Sequence, residues 1–377
     1  MATLFWLCLA AVSFAYVGYP ACMALMTALR PMPIRAEDWL PRIDVLLVVN
    51  DAATDIGRKL DNLLALDYPP DRLRINVACD GCTDATESIA RAYPHTQVRV
   101  FACAERRGKS ACIGNALPHM DAELVLFTDV RQRLEPNAAR VLAAVLADPA
   151  VGAASGELVL EAGDSVGGGI NAYWRYEKAL RRLESASGSL VGATGALYAV
   201  KREAMSEVPP GLILDDMWIP LSIAAKGWRV VFVPQAIAHD RASTDPAAEE
   251  RRKRRTLAGN FQLLHRWPDL AIPGRHPLAL RLWGHKWLRL CVPWLLLLAL
   301  LSNAVLAFGS AFYGALLLLQ VIAYALALVG RSNPAWMALL PIRIASTFLS
   351  LNVCAAVALW QYVTKRNLHL WATAPQR

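Results

Sequence analysis

Two hydrophobic patterns divide the chain. From Met1 to Leu29 there is no charged side chain, a run longer than the about 20 residues that cross about 30 Å of hydrocarbon. Leu290 to Gly330 is a second uncharged run, long enough for two spans, with Asn303 and the Gly309–Gly314 region as the turn. Ile344 to Thr364 is a third apolar stretch, bounded by Arg343 and by Lys365-Arg366. Between these runs the pattern changes to short alternating elements. Val45–Val49 is a continuous apolar run that predicts a buried parallel strand. Ile56, Leu60, Leu63 and Leu64 carry helical spacing over Ile56 to Leu66, and Tyr68-Pro69-Pro70 stops it. Leu73–Ala78 predicts a strand, Thr83 to Tyr93 a helix opened by Thr83 and Asp84, and Val98–Ala102 a strand. Lys109 to Met120 follows as helix, Leu124–Thr128 as strand and Pro136 to Ala147 as helix. This βαβαβ series predicts an α/β, Rossmann-like domain: a mostly parallel sheet covered on both faces, with ligands at the carboxyl ends of its strands.

The order of the segments gives a domain layout. We expect an N-terminal transmembrane anchor at 1–29, an α/β domain at 40–270, an interfacial amphipathic segment at 271–289, about three transmembrane helices at 290–364 and a tail at 365–377. A cleaved signal peptide is the competing reading of the first run. It lacks a basic start, is too long for a signal core, and Tyr19-Pro20-Ala21-Cys22 is a poor processing site. Arg30 and Arg35 follow directly, so the positive-inside rule puts the next segment in the cytoplasm. Three later spans leave the C-terminus outside, whereas Lys365, Arg366 and Arg377 favour the inside. Pro334 to Ile342 is too short to span and reads as re-entrant, which leaves that topology open. Arg275, His276, Arg281, Trp283, His285, Lys286, Trp287 and Arg289 mix basic and aromatic side chains. They predict a helix in the headgroup region with Arg281, Lys286 and Arg289 facing lipid; the bland alternative is a surface helix leading into a span.

Composition agrees with a globular domain tied to a bilayer. Among 377 residues, 55% are hydrophobic and 19% charged, against about 45–50% and 25% in ordinary soluble domains. That excludes disorder and makes a wholly soluble enzyme a poor fit. The net charge of +8 and the run Arg251-Arg252-Lys253-Arg254-Arg255 raise the question of nucleic acid. The run comes after Glu249-Glu250 and no nucleic-acid-binding motif accompanies it. Anionic lipid headgroups or a diphosphate substrate fit better. Eight cysteines are scattered, with one CxxC at Cys79 and Cys82. No second pair or histidine partner at suitable spacing turns it into a zinc or redox site.

Acids stand at the strand ends. Asp51 follows the first strand, Asp80 the second and Asp129 the fourth. Each could simply cap the next helix, and Asp84 is read so. Asp80 and Asp129 end strands on one edge, as a nucleotide site requires. Gly108-Lys109-Ser110 resembles the end of a P-loop, but the glycine needed five residues earlier is Cys103. An ATPase reading therefore fails, while Lys109 at a helix start can still reach a phosphate.

Read together, three segments carry a resemblance: IDVLLVVNDAATDIGRKLDNLLALDYPPDRLRINVACDGCTDATESIA, RRGKSACIGNAL and LVLFTDVRQRLEPNAARVLAAVLADPAVGAASGEL. The chain resembles membrane-bound family-2 glycosyltransferases with the GT-A fold, and among them bacterial exopolysaccharide synthases of the cellulose, hyaluronan and poly-N-acetylglucosamine type. The resemblance covers roughly Asp44 to Leu264 and extends to the anchor layout. It implies a multi-pass protein of a bacterial inner membrane with its catalytic domain in the cytoplasm. It also implies that Asp80 resembles the base- and ribose-binding aspartate, Lys109 the pyrophosphate-side lysine and Asp129 the first acid of the DxD motif, a Mg2+ or Mn2+ ligand. Asp51 falls beside them at the end of the first strand. Asp216 in ILDDMW, beside Asp215, matches the family's general base. Thr194 and Gly195 resemble the small-residue segment near the acceptor, and Arg255 stands where the arginine of QxxRW falls.

Several positions depart from the family pattern. Asp51-Ala52 replaces the usual Asn-Glu, Arg131 takes the second acid of DxD, and Arg252 and Thr256 replace the glutamine and tryptophan of QxxRW. Arg131 either contacts the phosphates in place of part of the metal or pairs with a nearby acid. A metal requirement weaker than in two-acid relatives is the consequence. The Asp215-Asp216 pair has an alternative reading as a helix cap; as a base, one of two neighbouring acids gains a raised pKa. The leading expectation is an inverting transferase moving a sugar from a UDP-sugar onto a growing glycan. Transfer to a polyprenyl-phosphate lipid and a catalytically silent, nucleotide-binding subunit of a synthase complex are the alternatives. Expected partners are the donor, a glycan or lipid-linked acceptor, membrane lipids and an accessory membrane subunit.

Overall fold

The computed structural model describes residues 1–161, 168–241, 245–332, 336–337, 339–364 and 368–370. Eight strands are present among them: β1 Ile43–Val49, β2 Leu73–Asp80, β3 Val98–Cys103, β4 Leu124–Thr128, β5 Arg133–Leu134, β6 Val151–Glu161, β7 Leu197–Lys201 and β8 Arg229–Arg241. They form one sheet in the order β3-β2-β1-β4-β7-β6-β8-β5. β1 pairs in parallel with β2 on one side and β4 on the other, and every residue of β1 is buried. Such burial on both faces explains its unbroken apolar run. β7 is antiparallel to both β4 and β6. The β1 and β4 connections diverge at their carboxyl ends, opening the crevice where ligands of such sheets bind. One apolar layer contains Leu46, Phe127 and Ile113, and the opposite layer contains Val45, Leu47, Leu60 and Leu142.

Element edges differ from the sequence reading where side chains intervene. The helix predicted from Thr83 begins only at Thr86, because the Thr83 backbone N–H is taken by Asp51 Oδ1 at 2.6 Å. β2 continues past Ala78 to Asp80, which pairs with Cys103 of β3. The helix from Lys109 stops at Ala116, and Leu117–His119, with Pro118 inside, tightens into a 3-10 turn.

Among the described residues, four helices are long and apolar enough to cross a membrane: Ala2–Leu29, Ala279–Ala307, Ala311–Gly330 and Leu340–Thr364. Phe5 and Cys8 of the first pack on Ala299 of the second. The turn between the second and third falls at Phe308-Gly309-Ser310, whereas Asn303 lies inside a helix and meets Gln320. The expected re-entrant stretch falls partly, and the tail 365–377 apart from 368–370 wholly, outside the described residues.

Two regions are arranged differently from the sequence reading. Arg281, Lys286 and Arg289 do not face lipid. The Arg281 guanidinium donates to the carbonyls of Glu184, Ser187 and Ser189 at 2.7–3.0 Å. Arg289 donates to Glu177 at 2.5 Å, His285 sits between Glu177 and Glu184, and Lys286 is half-buried. Glu177 and Glu184 are seven residues apart on the helix Gly168–Ala186, so they share a face, and two buried acids there draw the basic side chains inward. The last helix, Leu340–Thr364, turns from its neighbours onto the sheet domain: Cys354 lies 3.8 Å from Glu250 and the Tyr362 ring is 6.3 Å from His265, both on the helix Pro246–Arg266.

Candidate active site

Four polar residues from three elements meet at the carboxyl end of β4. Asp129 is the residue after that strand, Lys109 opens the helix Lys109–Ala116, and Asp215 and Asp216 occupy the first turn of the helix Asp215–Ala225. Lys109 Nζ lies 2.7 Å from Asp129 Oδ1 and 3.6 Å from Asp215 Oδ2. Burial alone disfavours the ammonium, but the charges of Asp129 and Asp215 outweigh it and raise its pKa. Burial likewise pushes Asp129 up; Lys109 outweighs that and holds the carboxyl below its usual range.

Asp216 behaves differently. Burial, then the adjacent Asp215, pushes its pKa up to about 6. Its Oδ2 accepts from the Gly195 N–H at 3.2 Å. A Cβ on Gly195 would stand 3.3 Å from Asp216 Oδ2 and 3.8 Å from Asp129 Oδ2, so glycine keeps the space between the two carboxylates open. Thr194 donates its backbone N–H to Ser155 Oγ at 3.0 Å. Arg255 reaches toward the same acids, and its guanidinium donates to the Leu368 carbonyl at 3.2 Å.

The other residues singled out by sequence have structural engagements. Asp80 is fully buried, and its carboxylate accepts from the backbone N–H groups of Arg107 at 2.7 Å and Gly108 at 3.0 Å. It shapes the loop that launches Lys109 instead of standing open to a ligand. The loop beside it needs Gly81 at φ +58, where a Cβ would meet Arg106 N at 2.5 Å. Asp51 caps residues 83 and 84. Arg131 lies 3.6 Å from Asp240 Oδ2. It sits in the turn after β4 rather than on the strand, so strand alternation does not set its direction.

Sequence reasoning missed Lys59, Asp240 and Arg181. Lys59 is buried beneath the Asp129 turn and donates to Thr128 Oγ1 at 2.9 Å and the Gln132 carbonyl at 2.6 Å. Its signal was available: it shares the face of Ile56, Leu60 and Leu63. Among the described residues no group of three or more His, Cys, Asp or Glu is placed to hold a metal. Asp129 offers one carboxylate, already shared with Lys109, so a divalent cation here would rely on Asp129 and the donor's phosphate oxygens.

A nucleotide-diphospho-sugar transferase of GT-A type is the class that this sheet and these strand-end acids define. The pattern described as "Glycosyltransferase like family 2" matches residues 41–267, and the chain belongs to that family. A solved structure, the mannosyltransferase PcManGT from Pyrobaculum calidifontis in complex with GDP-Man and Mn2+, superposes with TM-score 0.70 at 26% identity, over 95% of this chain and 99% of that one. The beta-monoglucosyldiacylglycerol synthase of Synechocystis sp. (strain ATCC 27184 / PCC 6803 / Kazusa) is 22% identical over 237 residues, 60% of this chain. The chain spans about half, 50%, of that relative's length.

Proposed function

We propose that this protein is an inverting glycosyltransferase that moves a sugar from a nucleoside-diphosphate donor, a UDP-sugar, onto a hydroxyl of an acceptor held in the bilayer. The reaction takes place at the cytoplasmic face of a bacterial inner membrane. The observation that carries the reading is Asp216: a carboxyl with its pKa raised to about 6, facing the Lys109–Asp129 pair across Gly195. Asp216 takes the proton as the acceptor oxygen bonds to the sugar's anomeric carbon. The bond from that carbon to the diphosphate breaks on the opposite side, and its electron pair leaves with the phosphate. Lys109 stabilises the charge that develops there. Mg2+ or Mn2+, when bound through Asp129, would neutralise further phosphate charge.

Two hollows along the helix Gly168–Ala186 favour a lipid-borne acceptor over a free glycan chain. One, of about 240 Å³, lies beside Met32, Pro33 and Ile34, immediately after the first apolar helix; the other, of about 20 Å³, lies at Arg181 and Thr194, and Phe232 lines both. The glycolipid named for the cyanobacterial relative points the same way. Exopolysaccharide synthesis remains the second reading, supported by the several apolar helices that adjoin the domain. Membranes incubated with a panel of radiolabelled nucleotide sugars test the activity. Asp216→Asn should lower turnover by about 10²–10⁴ while UDP affinity stays near wild type. Full turnover in that variant sinks the assignment.

A further inference from the structure

Beside the reacting groups stands Arg181, a cation with no ion-paired carboxylate among the described residues. Its Nη2 donates to Ser155 Oγ at 2.6 Å, and the same oxygen accepts the Thr194 N–H at 3.0 Å. The next residue, Gly195, holds Asp216 at 3.2 Å. Three hydrogen bonds and one peptide link therefore join the guanidinium to the base. Arg181 also lies over the Phe232 ring, 4.9 Å from its centroid, and lines the smaller hollow with Thr194, Trp174 and Lys178.

The surrounding acids are committed elsewhere. Glu157 pairs with Lys178 at 2.5 Å and Arg182 at 3.7 Å. Glu177 pairs with His285 and Arg289, and Glu184 with His285 and the Tyr19 hydroxyl. Among the described residues no carboxylate lies within ion-pair distance of Arg181, and its buried Nε has no hydrogen-bond partner. A guanidinium beside a hollow near the reacting groups, with no carboxylate paired to it, is disposed to take a phosphate oxygen. The bland reading is that Arg181 only stitches its helix to β6 through Ser155; that role needs one N–H and does not call for an unpaired charge here.

We propose that Arg181, positioned by Ser155, binds the phosphate of an acceptor that carries its attacking hydroxyl next to an anionic phosphate group. This rests on the transferase reading and narrows it: the acceptor is an anionic lipid, not a neutral diacylglycerol. A glycerophospholipid with a hydroxyl headgroup and a prenyl-diphosphate-linked sugar share that chemistry. In either, the phosphate meets Arg181, the hydroxyl reaches Asp216 and the chains leave past Phe232 toward the hollow beside Met32.

Binding to the full-length protein in detergent tests this without the donor. The probes are dihexanoylphosphatidylglycerol, dihexanoylglycerol, farnesyl diphosphate and UDP. The wild type should bind the phosphatidylglycerol or the farnesyl diphosphate at least about tenfold more tightly than dihexanoylglycerol, as a charged hydrogen bond would give. High salt should narrow the gap. Arg181→Gln should abolish the preference, Arg181→Lys should keep part of it and Ser155→Ala should weaken it, all with UDP affinity retained as the check on folding. The anionic probe that loses more affinity in Arg181→Gln identifies the source of the phosphate. Equal binding of anionic and neutral probes by the wild type, or a preference that survives Arg181→Gln, overturns the proposal. Failure of the transferase reading would appear separately, as absence of turnover with every nucleotide sugar while this preference persists.

Discussion

Asp216 keeps its proton to higher pH than an ordinary aspartate because it is buried beside Asp215, while Lys109 pulls the other way. Only the ionised carboxylate can accept a proton, so transfer should have an acidic limb. The rate should be close to its plateau above pH 7 and fall about tenfold per unit below about pH 6, where this environment places the carboxyl. Lys109→Met removes a cation from beside the acids, so its limb should move to higher pH; a limb that stays below pH 5 in both proteins would remove Asp216 from the role of base. Asp129 and Lys109 were legible because one ends a strand and the other opens a helix, which can be read from the pattern; the Asp215-Asp216 pair was legible through the resemblance of ILDDMW to the family's motif. Arg181 was not. Its partner Ser155 lies on another element, and nothing in the sequence spacing shows that its neighbouring acids are already paired.

At the scale of elements, the turn after β4 depends on the helix Ile56–Leu64. Lys59 is 2% exposed and supports the turn from below through Thr128 and Gln132. Burial lowers its pKa from 10.5 to about 7, against the attraction of Asp129. The folded protein therefore holds this proton less tightly than the unfolded chain does. Between about pH 7 and 10.5 the unfolded state binds more protons, so this group makes stability rise with pH across that window. Below pH 7 both states carry the charge and its cost is constant. Lys59→Met lacks the titration, so thermal unfolding in detergent should show the wild type gaining on the variant between pH 7 and 9. A difference that does not change with pH would mean that Lys59 titrates normally. The central strands and the helices beside them were readable as elements because their burial is regular; their edges were not, since Asp51 capping residue 83 and Pro118 tightening a turn decide them locally.

For the whole molecule, the last apolar helix decides on which side residues 368–370 lie. By length and composition Leu340–Thr364 can cross a membrane, and crossing would put residues 368–370 on the side opposite the sheet domain. Its contacts argue otherwise. Gly330 of the preceding helix meets Ile342 and Ser346, Phe348 packs on Tyr16, and then Cys354 and Tyr362 reach the helix Pro246–Arg266. Beyond it, the carbonyls of Leu368 and His369 accept from Arg255, and a Cβ on Gly108 would stand 3.1 Å from the His369 ring. Residues 368–370, which reach Gly108 and Arg255, therefore lie on the catalytic side. Trp360 and Val363 remain exposed on the same helix, at 70% and 73%, as expected of a helix lying along a bilayer surface with one face on protein. Leu370→Cys should then react with a membrane-impermeant maleimide from the same side as Asp269→Cys, a half-exposed position in the sheet domain. Labelling from opposite sides would make the last helix a true span and detach 368–370 from the active site.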